Sequence, residues 1–237
     1  GFSIPPKPRR YFFLFSPCEE FPLCYTFCMD DKLLKELISY LENLHHVHGS
    51  DLPSLELYMD QVTGFMEEHL SSMRRYEEDK ALTKTMINNY AKNHILPPPV
   101  RKRYNKNHML ILLFIYYYKS MLSLSDIETI LHPLNENYFY NKTEPKLKDI
   151  YEEVFSFANV EMQNVIEDVK ESFQKAQTSF SEKDPHFETL SIEEREDLQQ
   201  FCFFSLLAFE VYLKKQLLEK MVDAMAEKQN KKEKKRK

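Results

Sequence analysis

LTKTMINNYAKNHILPPPVRKRY, residues 82–104, is the stretch on which the reading of the fold turns. Thr83 is a hydroxyl residue where a helix N-cap belongs, and Met86, Ile87 and Tyr90 fall on one side of the helix that follows it. Pro97, Pro98 and Pro99 stop that helix, because proline cannot extend the hydrogen-bond ladder and disfavours helical geometry in the residue before it. Arg101, Lys102 and Arg103 then concentrate charge in a short turn ending at Tyr104. A long apolar helix is expected from about Lys106 to Met121. Ser125-Asp126-Ile127-Glu128 has the spacing of a capping box that starts a short helix to Leu131.

Outward from this stretch the chain keeps a helical period. Between Asp30 and His46, Leu33, Leu34, Leu37, Ile38, Leu41 and Leu44 recur at spacings of three and four, the mark of one buried helical face. Gly49, Ser50 and Pro53 interrupt it, a second helical pattern runs from about Leu55 to Met73, and the charged stretch from Arg74 to Lys80 reads as an exposed connection. Beyond Pro133 two long helical patterns span roughly Pro145 to Phe180 and Ser191 to Gln229, separated by a linker with Pro185. Ser191-Ile192-Glu193-Glu194 is a second capping box, with acidic residues suited to a helix N-terminus. With only 3 Gly in 237 residues, the chain lacks the residue that tight hairpins and phosphate-cradling loops use, and an all-α fold is expected.

The expected organisation is a flexible arm or gene-model extension over 1–28, with Met29 as the natural start. A helix-turn-helix domain with its preceding helices follows over 29–134, then a helical domain over 135–230 suited to dimerisation, then a basic disordered tail over 231–237. Its two longest apolar stretches, Met109 to Tyr118 and Phe201 to Leu213, fall short of the roughly 20 residues that span a bilayer. Arg9-Arg10 precedes only five apolar residues, too few for a secretory segment, so a cytoplasmic location is expected. Cys18, Cys24, Cys28 and Cys202 show no paired C-x-x-C and read as reduced, unligated thiols. His45, His46 and His48 are the one grouping suggestive of a metal, and they fall at a helix end, where histidines often simply favour the dipole's negative pole. With no Ser-His-Asp or Cys-His setting, no H-E-x-x-H and no Gly-rich phosphate loop, neither an enzyme nor a cofactor is expected.

Charge is distributed unevenly. The chain carries −5, yet residues 81–131 hold seven basic residues (Lys84, Lys92, Arg101, Lys102, Arg103, Lys106, Lys119) against Asp126 and Glu128, a local +5 that leaves −10 for the rest. A locally positive helix and turn on an acidic protein is the electrostatic footprint of a DNA-reading element; a basic solvated surface without a partner is the plain alternative.

The order of these signals resembles the DNA-binding domain of MerR-family regulators. There a capped helix and a Leu-Pro-Pro turn lead into a basic wing ending in Tyr, an apolar helix and a Ser-Leu-x-x-Ile helix. Thr83 to Tyr90 with Ile95-Leu96-Pro97-Pro98, Arg101 to Tyr104, and Leu122-Ser123-Leu124-Ser125-Asp126-Ile127 match these parts in turn. "LYMDQV" at 57–62, "LTKTMINNY" at 82–90 and "LPPPVRKRY" at 96–104 are more specifically similar to the domain-of-unknown-function 1836 family of Gram-positive bacteria. Four features depart from the MerR pattern. Asn88 and Asn89 stand where that family has its phosphate-contacting Arg and the next aromatic, and His94 replaces the Gly that ends the recognition helix. The wing between Pro99 and Tyr104 has four residues, too few for a proper hairpin, and the connection between the first two helices is longer than a tight turn.

The resemblance implies a transcriptional regulator that binds double-stranded DNA. Thr83, Lys84, Thr85, Asn88, Asn89 and Lys92 would lie at the major groove, while Arg101, Lys102, Arg103, Tyr104 and Lys106 would grip flanking phosphates. Such modules act as homodimers, and Phe201, Phe204, Leu207, Leu213, Leu217, Leu218 and Met221 form a candidate seam whose alternative role is packing against the 145–180 helix. The competing reading is a protein-protein adaptor that keeps the helix-turn-helix as a scaffold without DNA binding. An effector pocket among the aromatic-rich helices is the weaker expectation, since an aromatic stripe is more often plain core.

Overall fold

The computed structural model describes residues 29–236. Among the described residues, eight α-helices, a short 3-10 turn (Ser71–Met73) and one two-stranded ribbon make up the regular structure, so the fold is mainly α, as expected from the glycine-poor composition. Two hydrophobic cores hold it together, and they divide the chain differently from its sequence order.

The larger core is assembled from residues between Val47 and Phe155. Strand β1 (Leu57–Tyr58) leads into α2 (Met59–His69), which buries Val62 and Met66. Helix α3 (Lys84–Lys92) adds Ile87 and Tyr90, and β2 (Arg103–Tyr104) pairs antiparallel with β1 in the register Leu57 to Tyr104 and Tyr58 to Arg103. The centre is α4 (Lys106–Tyr118), which buries every residue from His108 to Ile115 and is therefore enclosed on all sides. Helix α5 (Leu124–Tyr138) contributes Ile127 and Leu131, and α6 (Leu147–Ser156) closes the core with Leu147 and Tyr151. Tyr151 donates its hydroxyl to the Val47 carbonyl at 2.6 Å, and the Val47 N–H donates to the Tyr117 hydroxyl at 3.2 Å. Both backbone groups of Val47 are thus satisfied by tyrosines from distant helices. The expected domain boundary after residue 134 lies inside α5, and α6 beyond it belongs to this same core.

The second core is smaller. Helix α1 (Asp31–Glu42), capped by Asp30, sets Leu33 against Val169, Phe173 and Ala176 of α7 (Ala158–Gln177) and Phe203 of α8 (Ile192–Arg236). Its N-terminal end is held by Gln177, which donates to the Met29 carbonyl at 3.0 Å. Helix α8 runs for 45 residues and serves both cores: Phe203 and Leu207 join the second, while Leu218 reaches the first.

Several element boundaries differ from the sequence reading. Helix α3 ends before the prolines: the Ile95 N–H donates to the Tyr90 carbonyl, the His94 N–H to the Ala91 carbonyl, and His94 takes φ 60. This is a Schellman stop with a non-glycine residue in the left-handed position, sealed by the buried pair Tyr90 and Ile95. Helix α5 is capped by Ser123 with Asp126, not by Ser125 with Glu128, and it continues past Leu131 to Tyr138 with Pro133 inside it. The single pattern expected over 145–180 is two helices that meet at Phe157. Ser191 does cap α8, with reciprocal bonds to Glu194, but the helix continues to Arg236, so disorder of the basic tail does not begin at 231. The arm over 1–28, with Cys18, Cys24 and Cys28, lies outside the described residues.

Pro133 has a structural consequence. A proline cannot donate to the carbonyl four residues earlier, which is that of Thr129. Gln229 of α8 supplies the missing donor, its Nε2 lying 2.9 Å from the Thr129 oxygen. The defect in α5 is thereby the attachment point for the far end of α8.

Candidate nucleic-acid interface

Helix α3 is stabilised from within by Thr83, whose hydroxyl oxygen accepts the Met86 N–H at 3.2 Å. With Ile87 and Tyr90 turned into the core, the opposite positions are forced outward. Lys84, Thr85, Asn88, Asn89 and Lys92 are all exposed, at the i, i+1, i+4, i+5 and i+8 spacing of one helical stripe. Asn93 donates to both the Asn89 carbonyl and its side-chain oxygen, at 2.8 and 2.9 Å, which restrains the exposed Asn89 amide.

The basic wing closes despite its length. The Arg103 N–H donates to the Val100 carbonyl at 2.9 Å, and the two residues between them, Arg101 and Lys102, take φ 50 and 63. Both central residues in the left-handed region make a type I′ turn, the tightest hairpin connection, normally built from Asn and Gly. The expectation that four residues are too few for a hairpin is therefore corrected. Two long cationic side chains occupy positions where a Cβ is disfavoured, and both are exposed.

The ends of α2 and β1 bring the stripe and the hairpin together. Tyr58 pairs with Arg103 in the ribbon and lies under its guanidinium, 5.2 Å from ring centroid to Cζ. Two residues on, Asp60 forms an ion pair with Lys84 at the start of α3. The hairpin tip and the first turn of α3 thus flank a single short segment. Tyr58 and Asp60 were not among the sequence-predicted site residues; their only signal was their place in the LYMDQV motif.

Three of the predicted site residues have other roles. Tyr104 is 3% exposed, edge-on to His108 with 5.3 Å between ring centroids, and belongs to the core; it is not available to a phosphate. Its position is dictated by alternation, since Arg103 and Tyr104 point to opposite faces of the ribbon. Thr83 is half-buried and occupied as a cap. Lys106 turns toward α6, where burial and the neighbouring Lys148 lower its pKa while Glu152 opposes them. Lys119, counted in the local positive charge, donates to the Ala81 carbonyl at 2.8 Å and is half-buried.

The connection between α2 and α3 is ordered by charge. Arg74 forms an ion pair with Glu67 and also donates to the carbonyls of Ser71, Glu77 and Asp79. Glu67 in turn accepts the Ala81 N–H. The connection, exposed from Arg75 to Lys80 as expected, is nonetheless tied back to α2 immediately before the Thr83 cap.

Beneath the hairpin, His108 is 1% exposed. Its Nδ1 lies 3.1 Å from the Asn105 backbone nitrogen and 2.8 Å from the Asn105 Oδ1, and its Nε2 is buried without a hydrogen-bond partner. Burial lowers its pKa to about 4, with the carbonyls of Pro98 and Pro97 opposing the shift. Elsewhere, His46 stacks on Phe155 at 5.0 Å and lies 4.4 Å from His48. Among the described residues no group of three or more His, Cys, Asp or Glu is arranged to hold a metal ion, and no helix is long and apolar enough to cross a membrane.

No curated protein and no solved structure matches the chain. Residues 47–154 match the family model described as Domain of unknown function (DUF1836). That segment begins at the residue clamped by Tyr117 and Tyr151 and ends one residue before Phe155, so the matched region coincides with the larger core and carries both the α3 stripe and the hairpin. Over residues 47–154, a little under half of the chain, the sequence is thus similar to the DUF1836 family.

Proposed function

We propose that the protein is a transcriptional regulator that binds double-stranded DNA through α3 and the Val100–Arg103 hairpin, in the manner of the MerR-like modules it resembles. The observation that carries this reading is the outward stripe of Lys84, Thr85, Asn88, Asn89 and Lys92 beside an exposed Arg101-Lys102-Arg103 tip, linked through Tyr58 and Asp60. A nine-residue helix with small polar and amide side chains on its free face has the dimensions and hydrogen-bonding groups for base edges in a major groove. The hairpin cations supply sequence-independent attraction to phosphates and fix the register. The protein acts by binding, not by catalysis, and acts where bacterial DNA is, in the cytoplasm.

Pairing of two copies through α8 fits this role. Phe201, Phe204, Leu213, Leu217 and Met221 are exposed along it, whereas Leu207 and Leu218 of the same expected seam are taken up by the chain's own cores.

The test is duplex binding as a function of salt. Log affinity falls linearly with log salt, by about 0.9 per phosphate contact. Changing Arg101, Lys102 and Arg103 together to Glu should abolish retardation of random duplex at low salt, and changing them one at a time to Gln should shallow the slope by about one unit each. Absence of duplex binding by the unaltered protein at low salt overturns the reading and leaves the adaptor. Two observations favour that alternative: Asn88 brings no charge to the centre of the stripe, and Asp60 already neutralises Lys84.

A further inference from the structure

A cleft of about 530 Å³ opens between the α2–α3 connection and the C-terminal end of α4. Its walls include Arg74, Arg75, Lys80 and Lys119, against one carboxylate, Asp79, and Tyr116 forms part of its apolar side. We propose that this cleft binds a small organic anion, a carboxylate or phosphate on a planar apolar body, and that occupancy is transmitted to α3 through Ala81. The binding site stands independently of the DNA-binding reading; its regulatory meaning rests on that reading.

The four cations differ in what they have left to offer. Arg74 is consumed by Glu67 and three backbone carbonyls, so it supplies fixed positive potential at the rim. Arg75 and Lys80 are exposed and close no ion pair among the described residues. Lys119 is half-buried, with its ammonium 5.0 Å from the Tyr116 ring centroid and one hydrogen bond, to the Ala81 carbonyl. An ammonium has three donors, and a partly desolvated one with a single neutral acceptor gains strongly from an anion. Burial lowers its pKa, and the Asp79 carboxylate offsets this only in part. A planar body against Tyr116, with its anionic group toward Lys119, Arg75 and Lys80, uses every unspent group in the cleft.

The connection to α3 is short. Lys119 holds the Ala81 carbonyl, Glu67 holds the Ala81 N–H, and the cap Thr83 lies two residues on. An anion that draws the ammonium competes directly with the Ala81 carbonyl, and so alters the restraint on the start of α3. Helix α4 itself does not move, being buried throughout its middle turns.

Calorimetric titration of the full chain at low ionic strength with benzoate and with phenyl phosphate, using phenol as the neutral control, tests this. Expected is one-to-one binding of at least one of the two anions, at least tenfold tighter than phenol. Binding should weaken at least tenfold in Arg75→Glu/Lys80→Glu, whose exposed side chains leave the thermal midpoint unchanged. Amide exchange over residues 79–85 should change on saturation. Equal affinity for phenol, equal affinity of the double variant, or saturation without any change over 79–85 overturns the proposal. If an anion binds as described while the protein retards no duplex, the DNA-binding reading falls and the cleft stands; if duplex is bound and neither anion is, the cleft alone falls.

Discussion

His94, Arg101 and Lys102 occupy left-handed backbone positions without being glycine, and each does so at a boundary of the candidate interface. A Cβ in that region costs on the order of 1 kcal/mol, so His94→Gly should raise stability by roughly that amount, read as a higher urea midpoint with an unchanged slope. Glycine at 101 or 102 should also relieve the turn, but it removes the cations that the turn presents; a gain in stability with a loss of duplex affinity is the expected signature. His108 makes a different prediction. Its pKa of about 4 in the folded protein lies below the ordinary value of 6.5, so above 6.5 the ring is neutral in both states and the folded protein is at full stability. As pH falls from 6.5 toward 4 the unfolded chain takes up a proton that the folded one refuses, and stability declines by up to about 3 kcal/mol. Chemical denaturation of His108→Gln at pH 7 and pH 4.5 should show a smaller difference between the two pH values than the unaltered protein does. An equal difference would mean that His108 is not the group responsible.

At the scale of elements, what was legible in the sequence was local. Thr83 and Ser191 cap the helices that they precede, because an N-cap needs only a side-chain oxygen and the next turn's N–H groups. The stripe of α3 follows from the burial of Ile87 and Tyr90 in the same way. Where two local solutions overlap, the sequence is ambiguous: Ser123 with Asp126 and Ser125 with Glu128 are equally good boxes, and the earlier one adds a residue pair to the helix. What was illegible depended on contacts distant in the chain. Pro133 reads as a terminator because nothing nearby replaces its missing donor; the replacement, Gln229, is 100 residues away. Gln229→Ala should therefore cost about 1 kcal/mol and speed amide exchange in the last turns of α8. In a Pro133→Ala background, where α5 satisfies Thr129 itself, the same change should cost almost nothing, and a double-mutant cycle measures that coupling. The reach of Tyr117 and Tyr151 to Val47, and the clamp of Arg74 on the α2–α3 connection, were hidden for the same reason.

At the scale of the whole molecule, the two cores do not follow chain order: α1 precedes the larger core but packs with α7 and α8. Sequence periodicity identifies an amphipathic helix without identifying its partner, which is why α1 was grouped with its neighbours in the chain. The exposed apolar positions of α8 make self-association concentration-dependent in the proposed dimer. Sedimentation of the unaltered protein should show a monomer–dimer equilibrium that Leu213→Glu/Leu217→Glu shifts to monomer without changing the helical circular dichroism. A monomer at all concentrations would remove α8 as a seam.

Between Phe209 and Leu217 the side chains of α8 are mostly exposed, while its N-terminal part rests on α7 and its C-terminal part on α5. Such a span behaves as a strut fixed at both ends. Limited digestion that cuts only there should leave both fragments bound to their own cores at native pH, with the molecule intact in size and the cores joined through Phe157 between α6 and α7 but no longer braced by α8. Any signal that the intact protein carries along α8 from the α1–α7 side to α5 would then fall silent while each half remained folded.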